Sequence, residues 1–157
     1  MKFKDNKDKI EFLEKAKRCV LSDIEDKYSE NPFFDTLKVD IGSSEEYFNK
    51  IVDYCKTYIK EKAWSNNKSL GDKYRYFSTE GLAQKLERKF GWKVMNKWVK
   101  LAVINAGLDF MSMSKEDNYS SKNLSSVNDI FDDNIVFIFR YNGNSSIKLD
   151  YLNDYYG

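Results

Sequence analysis

Residues 77–107 read FSTEGLAQKLERKFGWKVMNKWVKLAVINAG, and this stretch decides the fold. Ser78 stands where a side-chain oxygen can satisfy the free amides of a helix start. Leu82, Ala83, Leu86 and Phe90 follow at helical spacing, and Gly91 is placed to end the helix in a left-handed conformation. A longer helix is expected from Trp92 to about Asn105, with Gly107 as its stop. With Lys93 at zero and about 100° per residue, Asn96, Lys97 and Lys100 fall within one arc of about 100° around it. Met95, Trp98, Val99 and Ala102 lie near the opposite side. The spacing predicts one face toward the core and one polar face toward an anion, with Arg88 and Lys89 adding charge from the end of the preceding helix.

Outward from this stretch, charge is unevenly distributed. The net charge is only +1, so a protein-wide basic field is excluded. Residues 68–100 hold nine Lys/Arg against three Asp/Glu, whereas residues 115–157 hold four against seven. The positive charge therefore sits where the two helices sit. A chain of 157 residues fits one domain, and its 16% aromatic content marks it as a folded chain. Each aromatic ring buries roughly 150–250 Å², so a core of few residues can still be large.

Upstream, Ile10, Leu13, Ala16, Lys17, Val20, Ile24 and Tyr28 trace a helical stripe from about Asp8, with Lys17 the one polar intruder. Pro32 ends it. Leu37, Val39 and Ile41 alternate, which predicts a short strand at residues 36–41. A second helix begins at Ser43-Ser44-Glu45-Glu46 and carries Tyr47, Phe48, Ile51, Val52, Cys55, Tyr58 and Ile59 on one stripe. The polar break at residues 65–71 divides the chain into an N-terminal helical extension, 1–67, and a unit spanning 68–157. The two apolar stripes of the extension are candidate dimerisation surfaces, so a homodimer is one expected partner state.

Residues 73–77, KYRYF, read as an extended piece whose alternating basic and aromatic residues suit either the core or stacked single-stranded bases, core burial being favoured. Downstream, residues 108–113 read as a strand and 114–133, rich in Ser, Asn, Asp and Lys, as a long loop. Residues 135–139, IVFIF, form a continuous apolar run suited to a buried strand. Asn142-Gly143 signals a tight turn, and Ile147, Leu149 and Tyr151 alternate behind it, predicting a C-terminal β-hairpin.

A capped short helix (STEGLAQKL), a glycine-containing turn (ERKFG), a longer helix and the ending VINAGLDF together resemble the winged helix-turn-helix family over about residues 74–139. The resemblance implies an α+β fold: a winged helix-turn-helix core with N-terminal helices and a C-terminal β-hairpin. It implies that Lys93, Asn96, Lys97 and Lys100 face the groove of double-stranded DNA, with Ser78, Thr79 and Lys85 nearer the backbone. Lysine neutralises phosphate or reaches guanine acceptors, and asparagine can bond adenine at two atoms. The wing would be residues 108–113 and 135–139, joined by a tip carrying Lys115 and Lys122 against Glu116, Asp117, Asp129, Asp132 and Asp133. So acidic a tip adds little to phosphate binding, although residues 120–122 are placed to approach a minor groove.

Enzyme chemistry has little support in the sequence. Histidine is absent, which removes the commonest general base and metal ligand, and no glycine-rich phosphate loop is present. Asp129, Asp132 and Asp133 could bind a divalent cation, but acids in a polar loop are usually solvated. No cofactor or metal site is expected. Cys19 and Cys55 lie in apolar helical patterns and read as core thiols rather than a disulfide. No signal peptide or long apolar run is present, so the chain reads as cytoplasmic and without a membrane partner. Two functions stay open. The leading one is a sequence-specific double-stranded DNA-binding protein, a small transcriptional regulator or a plasmid or phage maintenance factor. The alternative is a protein-interaction module or inhibitor encoded by a mobile element, acting on a nucleic-acid-binding host protein.

Overall fold

Every fourth residue of the first helix, α1 (Asn6–Glu30), points into one core: Ala16, Val20, Ile24 and Tyr28 are all fully buried. In this computed structural model, which describes residues 4–30, 42–62 and 74–142, the N-terminal part of that stripe emerges from the core, with Ile10 55% exposed. Cys19, adjacent to Val20, is rotated off the buried face. It is an exposed free thiol rather than the expected core thiol, whereas Cys55 is buried and free.

Helix α2 (Ser44–Lys62) starts where the Glu46 amide donates to the Ser43 hydroxyl at 3.2 Å, with Glu45 and Glu46 in the positively polarised first turn. All seven residues of its predicted stripe are buried. Strand β1 (Tyr74–Ser78) leads directly into α3 (Thr79–Phe90). Extended Ser78 caps α3 by accepting the Gly81 amide at 3.1 Å, and Gly91 closes it with φ 75°. Only glycine adopts that left-handed conformation without a steric penalty.

The next helix, α4 (Asn96–Asn105), begins four residues later than the sequence pattern predicts. Tertiary contacts hold residues 92–95 out of the helix. The Tyr47 hydroxyl donates to the carbonyls of Lys93 (3.1 Å) and Trp92 (3.4 Å), and the Val94 amide donates to the Glu87 carboxylate (3.1 Å). The Trp92 ring lies 4.7 Å from Tyr28 and 5.2 Å from Tyr47, centroid to centroid. Ring packing at this position outweighs one further helical turn.

Gly107, at φ 71°, turns the chain toward β2 (Met111–Ser114), a strand that starts three residues later than predicted. The expected loop is partly built. It contains β3 (Ser120–Ser121), paired antiparallel with β2, and a one-turn helix α5 (Val127–Phe131). Strand β4 (Ile135–Asn142) then runs between β1 and β2, antiparallel to both, with Phe77 opposite Phe139 and Met113 opposite Val136. The sheet order is β1-β4-β2-β3. Ile135, Phe137 and Phe139 join the apolar cluster while Val136 and Ile138, on the opposite face, are buried too, so β4 is covered on both faces and its apolar run is unbroken instead of alternating.

The fold is α+β. One apolar cluster joins α1, α2, α3, α4, α5 and β4, so the described N-terminal helices share the core of the central unit. The predicted strand at 36–41, the polar break at 65–71, and the turn and second strand of the C-terminal hairpin lie outside the described residues. So do the side chains of the KYRYF stretch up to Phe77.

Candidate nucleic-acid interface

The helix assigned to the groove is enclosed. Six successive residues of α4, from Trp98 to Val103, are buried, so no open arc runs its full length. Helix α2 and α3 pack on its apolar side; α1 and α5 each touch it as well, and they touch one another. Two elements outside the helix-turn-helix thus close over the face predicted to meet an anion. The stripes of α1 and α2 offered as a dimer interface are largely taken up in this same packing.

Lys100 shows the consequence and corrects the sequence reading. It is 1% exposed and cannot reach a groove in this arrangement. Its ammonium donates to the carbonyls of Ile135 (2.8 Å), Asp132 (3.0 Å) and Asp129 (3.4 Å) and lies 5.6 Å from the centroid of the Phe137 ring. Burial lowers its pKa to about 8, opposed by the charges of Asp132, Asp133 and Glu80 and assisted by that of Lys115. The flexible stem of lysine lets the cation run under the chain to acceptors about 30 residues away, which a helical wheel does not register.

Thr79 is likewise fully buried at the start of α3, and its hydroxyl finds no partner among the described residues. Ser78 is engaged in capping. Asn96 is half-buried as the first residue of α4, with its Oδ1 buried and unpartnered among the described residues. Lys97 is half-buried and paired with Asp23 of α1 at 3.2 Å. Lys85 lies over the Tyr58 ring at 4.9 Å, and Lys89 over Tyr54 at 5.3 Å. Arg88, Lys89 and Lys93 are exposed. Of the residues assigned to the DNA contact, the exposed cations therefore lie at the end of α3 and in the following turn rather than along α4.

Asp23 and Tyr54 escaped the sequence reading. Asp23 accepts the Trp98 indole N–H at 2.6 Å while pairing with Lys97, so one carboxylate fixes both the core and the polar side of α4. Nothing in its local sequence marks it; only its place on the Val20–Ile24 side of α1 puts it near the core. Tyr54 and Tyr58 stack at 5.5 Å with an interplanar angle of 16°, and Phe90 meets Tyr54 edge-on at 6.2 Å. Their four-residue spacing on α2 was the available signal.

Two acids of the expected wing tip, Asp129 and Asp132, serve the local backbone. Burial would raise the pKa of Asp129, but amide hydrogen bonds from Ser125 (2.6 Å) and Ser126 (3.1 Å), and the Ser125 hydroxyl, hold it below the usual carboxylate value. Asp132 accepts the Asn134 amide at 2.9 Å. No described group of three or more His, Cys, Asp or Glu residues is arranged to hold a metal ion, and no described helix is long and apolar enough to cross a membrane. No family model matches the chain, and no curated protein or solved structure matches it.

Proposed function

We propose that the protein binds double-stranded DNA through a winged helix-turn-helix unit. The observation that carries this reading is the connected order of α3, the Gly91 turn and α4, followed by the antiparallel pair of β2 and β4, which is the arrangement the resemblance implies. Arg88, Lys89 and Lys93 are exposed cations at the end of α3 and in the turn that follows it. They replace the fully buried Lys100 as the first phosphate contacts, and Lys97 joins them at the edge of the covered helix. Interactions of this kind carry affinity with little sequence information, so sequence specificity requires α4 as well. A role in transcriptional regulation or in plasmid or phage maintenance is the biological form of this reading.

A mobility-shift titration with random duplex and with DNA flanking the protein's own coding region, each at two salt concentrations, tests it. A shift that weakens with salt and favours the flanking DNA is expected; no shift at the lower salt concentration refutes DNA binding.

A second reading, a protein-interaction module acting on a nucleic-acid-binding protein, draws support from the enclosure of α4 by α1 and α5. Capture of a stoichiometric nucleic-acid-binding partner from nuclease-treated lysate, by a protein that fails to shift DNA, is the outcome it requires.

A further inference from the structure

We infer that residues 123–133, which include α5, form an acidic lid that closes over the outer face of α4 and that duplex DNA must displace. This rests on the DNA-binding reading and names the step that regulates it.

The base of the segment is fixed. The Lys115 amide donates to the Asn134 carbonyl at 2.9 Å, and the Asn134 side chain donates to the Ser114 hydroxyl at 2.9 Å while accepting the Glu116 amide at 2.7 Å. Lys115 is also held to Glu80 of α3 at 2.6 Å. Strand β3 stays paired to β2, and the Lys122 amide donates to the Ser112 carbonyl at 2.9 Å, so residues 123–133, tied to β2 at both ends, can move as one piece without disturbing the sheet.

What holds that piece down is slight. Ile130 is its one fully buried side chain among the described residues, with Leu124, Val127 and Phe131 half-buried and most of the remainder exposed. The other cover of α4 is of a different kind, because α1 places Ala16, Val20, Ile24 and Tyr28 wholly in the core. Elements with few buried apolar neighbours open first, so the lid, and not α1, is the movable half of the enclosure.

Electrostatics supply the competitor. From Asn123 to Asp133 the chain carries Asp129, Asp132 and Asp133 and no lysine or arginine. It offers the carbonyls of Asp129 and Asp132 to Lys100. When the lid lifts, Lys100 loses those two acceptors and keeps only Ile135, which belongs to β4. The freed ammonium then stands on the helix that also carries Lys97, and DNA phosphate replaces the lid as its partner. Closure thus masks the positive helix with an acidic segment of the same chain.

Ile130→Ala separates the possibilities because it leaves every cation in place. Hydrogen exchange of a peptide spanning residues 123–131 is compared with one spanning 98–104, and affinity for random duplex is measured in parallel. The lid peptide is expected to exchange at least about 100-fold faster than the α4 peptide in the wild-type chain. Ile130→Ala is expected to bind duplex roughly 30-fold more tightly, the lower end of what truncating a buried isoleucine does to an opening equilibrium. Val127→Ala, with a smaller gain, serves if Ile130→Ala loses its cooperative melting transition. Exchange of the two peptides at one common rate overturns the lid. Wild-type binding with no gain in either variant overturns the gate while leaving DNA binding intact. Absence of duplex binding by all three proteins overturns the DNA-binding reading and the gate with it.

Discussion

Lys100→Met tests the enclosed ammonium, because the substitution removes a desolvated charge and a three-carbonyl latch at once. The two effects oppose each other at neutral pH. Leaving buried carbonyls without a donor costs about 1–3 kcal/mol each. Holding the ammonium charged in the core costs about 3 kcal/mol, from a pKa lowered from 10.5 to about 8 at about 1.4 kcal/mol per unit. A single stability measurement can therefore show almost no change, but the pH dependence cannot.

Between about pH 8 and 10.5 the unfolded chain holds more protons at Lys100 than the folded one, so this group makes stability rise with pH. The contribution is complete above the unfolded value and is lost as pH falls through about 8. Tyr28 and Cys55, whose burial pushes them up to about 12, act in the opposite direction, as does the raised Tyr47. Above about pH 9 the unfolded chain loses those protons first, and stability falls. Subtracting the variant from the wild type cancels them. Urea unfolding from pH 7.5 to 10 should show the wild type gaining on Lys100→Met by about 1.4 kcal/mol per pH unit above 8, reaching about 2–3 kcal/mol by pH 10. A difference that stays constant within about 0.5 kcal/mol would refute the buried charge.

Three further outcomes follow from the same packing. Asp23→Ala strands the fully buried Trp98 indole N–H and the half-buried Lys97 ammonium, and should cost about 2–4 kcal/mol in urea unfolding. Asp23→Asn keeps an acceptor for the indole and should cost less than half of that; equal losses would mean that the indole bond is irrelevant. Gly91→Ala meets no atom within 4 Å, so its cost is that of the backbone at φ 75° alone, about 1 kcal/mol by thermal unfolding, and an unchanged transition would contradict the cap. Ile130→Ala should tighten duplex binding roughly 30-fold while leaving the basic surface intact.

Some of this architecture is legible in the sequence because local chemistry and tertiary packing agree. The α2 stripe, the Ser78 and Gly91 caps of α3, and the apolar run of β4 each meet their neighbours in the way their own pattern implies. Elsewhere the deciding neighbours are remote. A helical wheel separates polar from apolar positions on α4, but it carries no information about α1 and α5, which arrive over the polar side from about 75 residues before and about 30 after. Lys100 looks solvated in the sequence because its acceptors are carbonyls, which leave no mark there. Trp92 looks helical because only Tyr28 and Tyr47, from two other helices, pull it out of register. The 114–133 stretch looks like a plain loop because Ile130 alone among its described side chains anchors it fully in the apolar core.

The most direct test of DNA binding by the helix-turn-helix is the salt dependence of affinity for a labelled duplex, followed by fluorescence anisotropy in the wild type and in Arg88→Ala/Lys89→Ala/Lys93→Ala. If these cations meet phosphates, the slope of log K against log salt should become shallower by about 2–3 in the triple variant, close to 0.9 for each phosphate no longer neutralised, with affinity falling alongside. An affinity and a slope identical in the two proteins, or no binding by the wild type at the lowest salt, would contradict it.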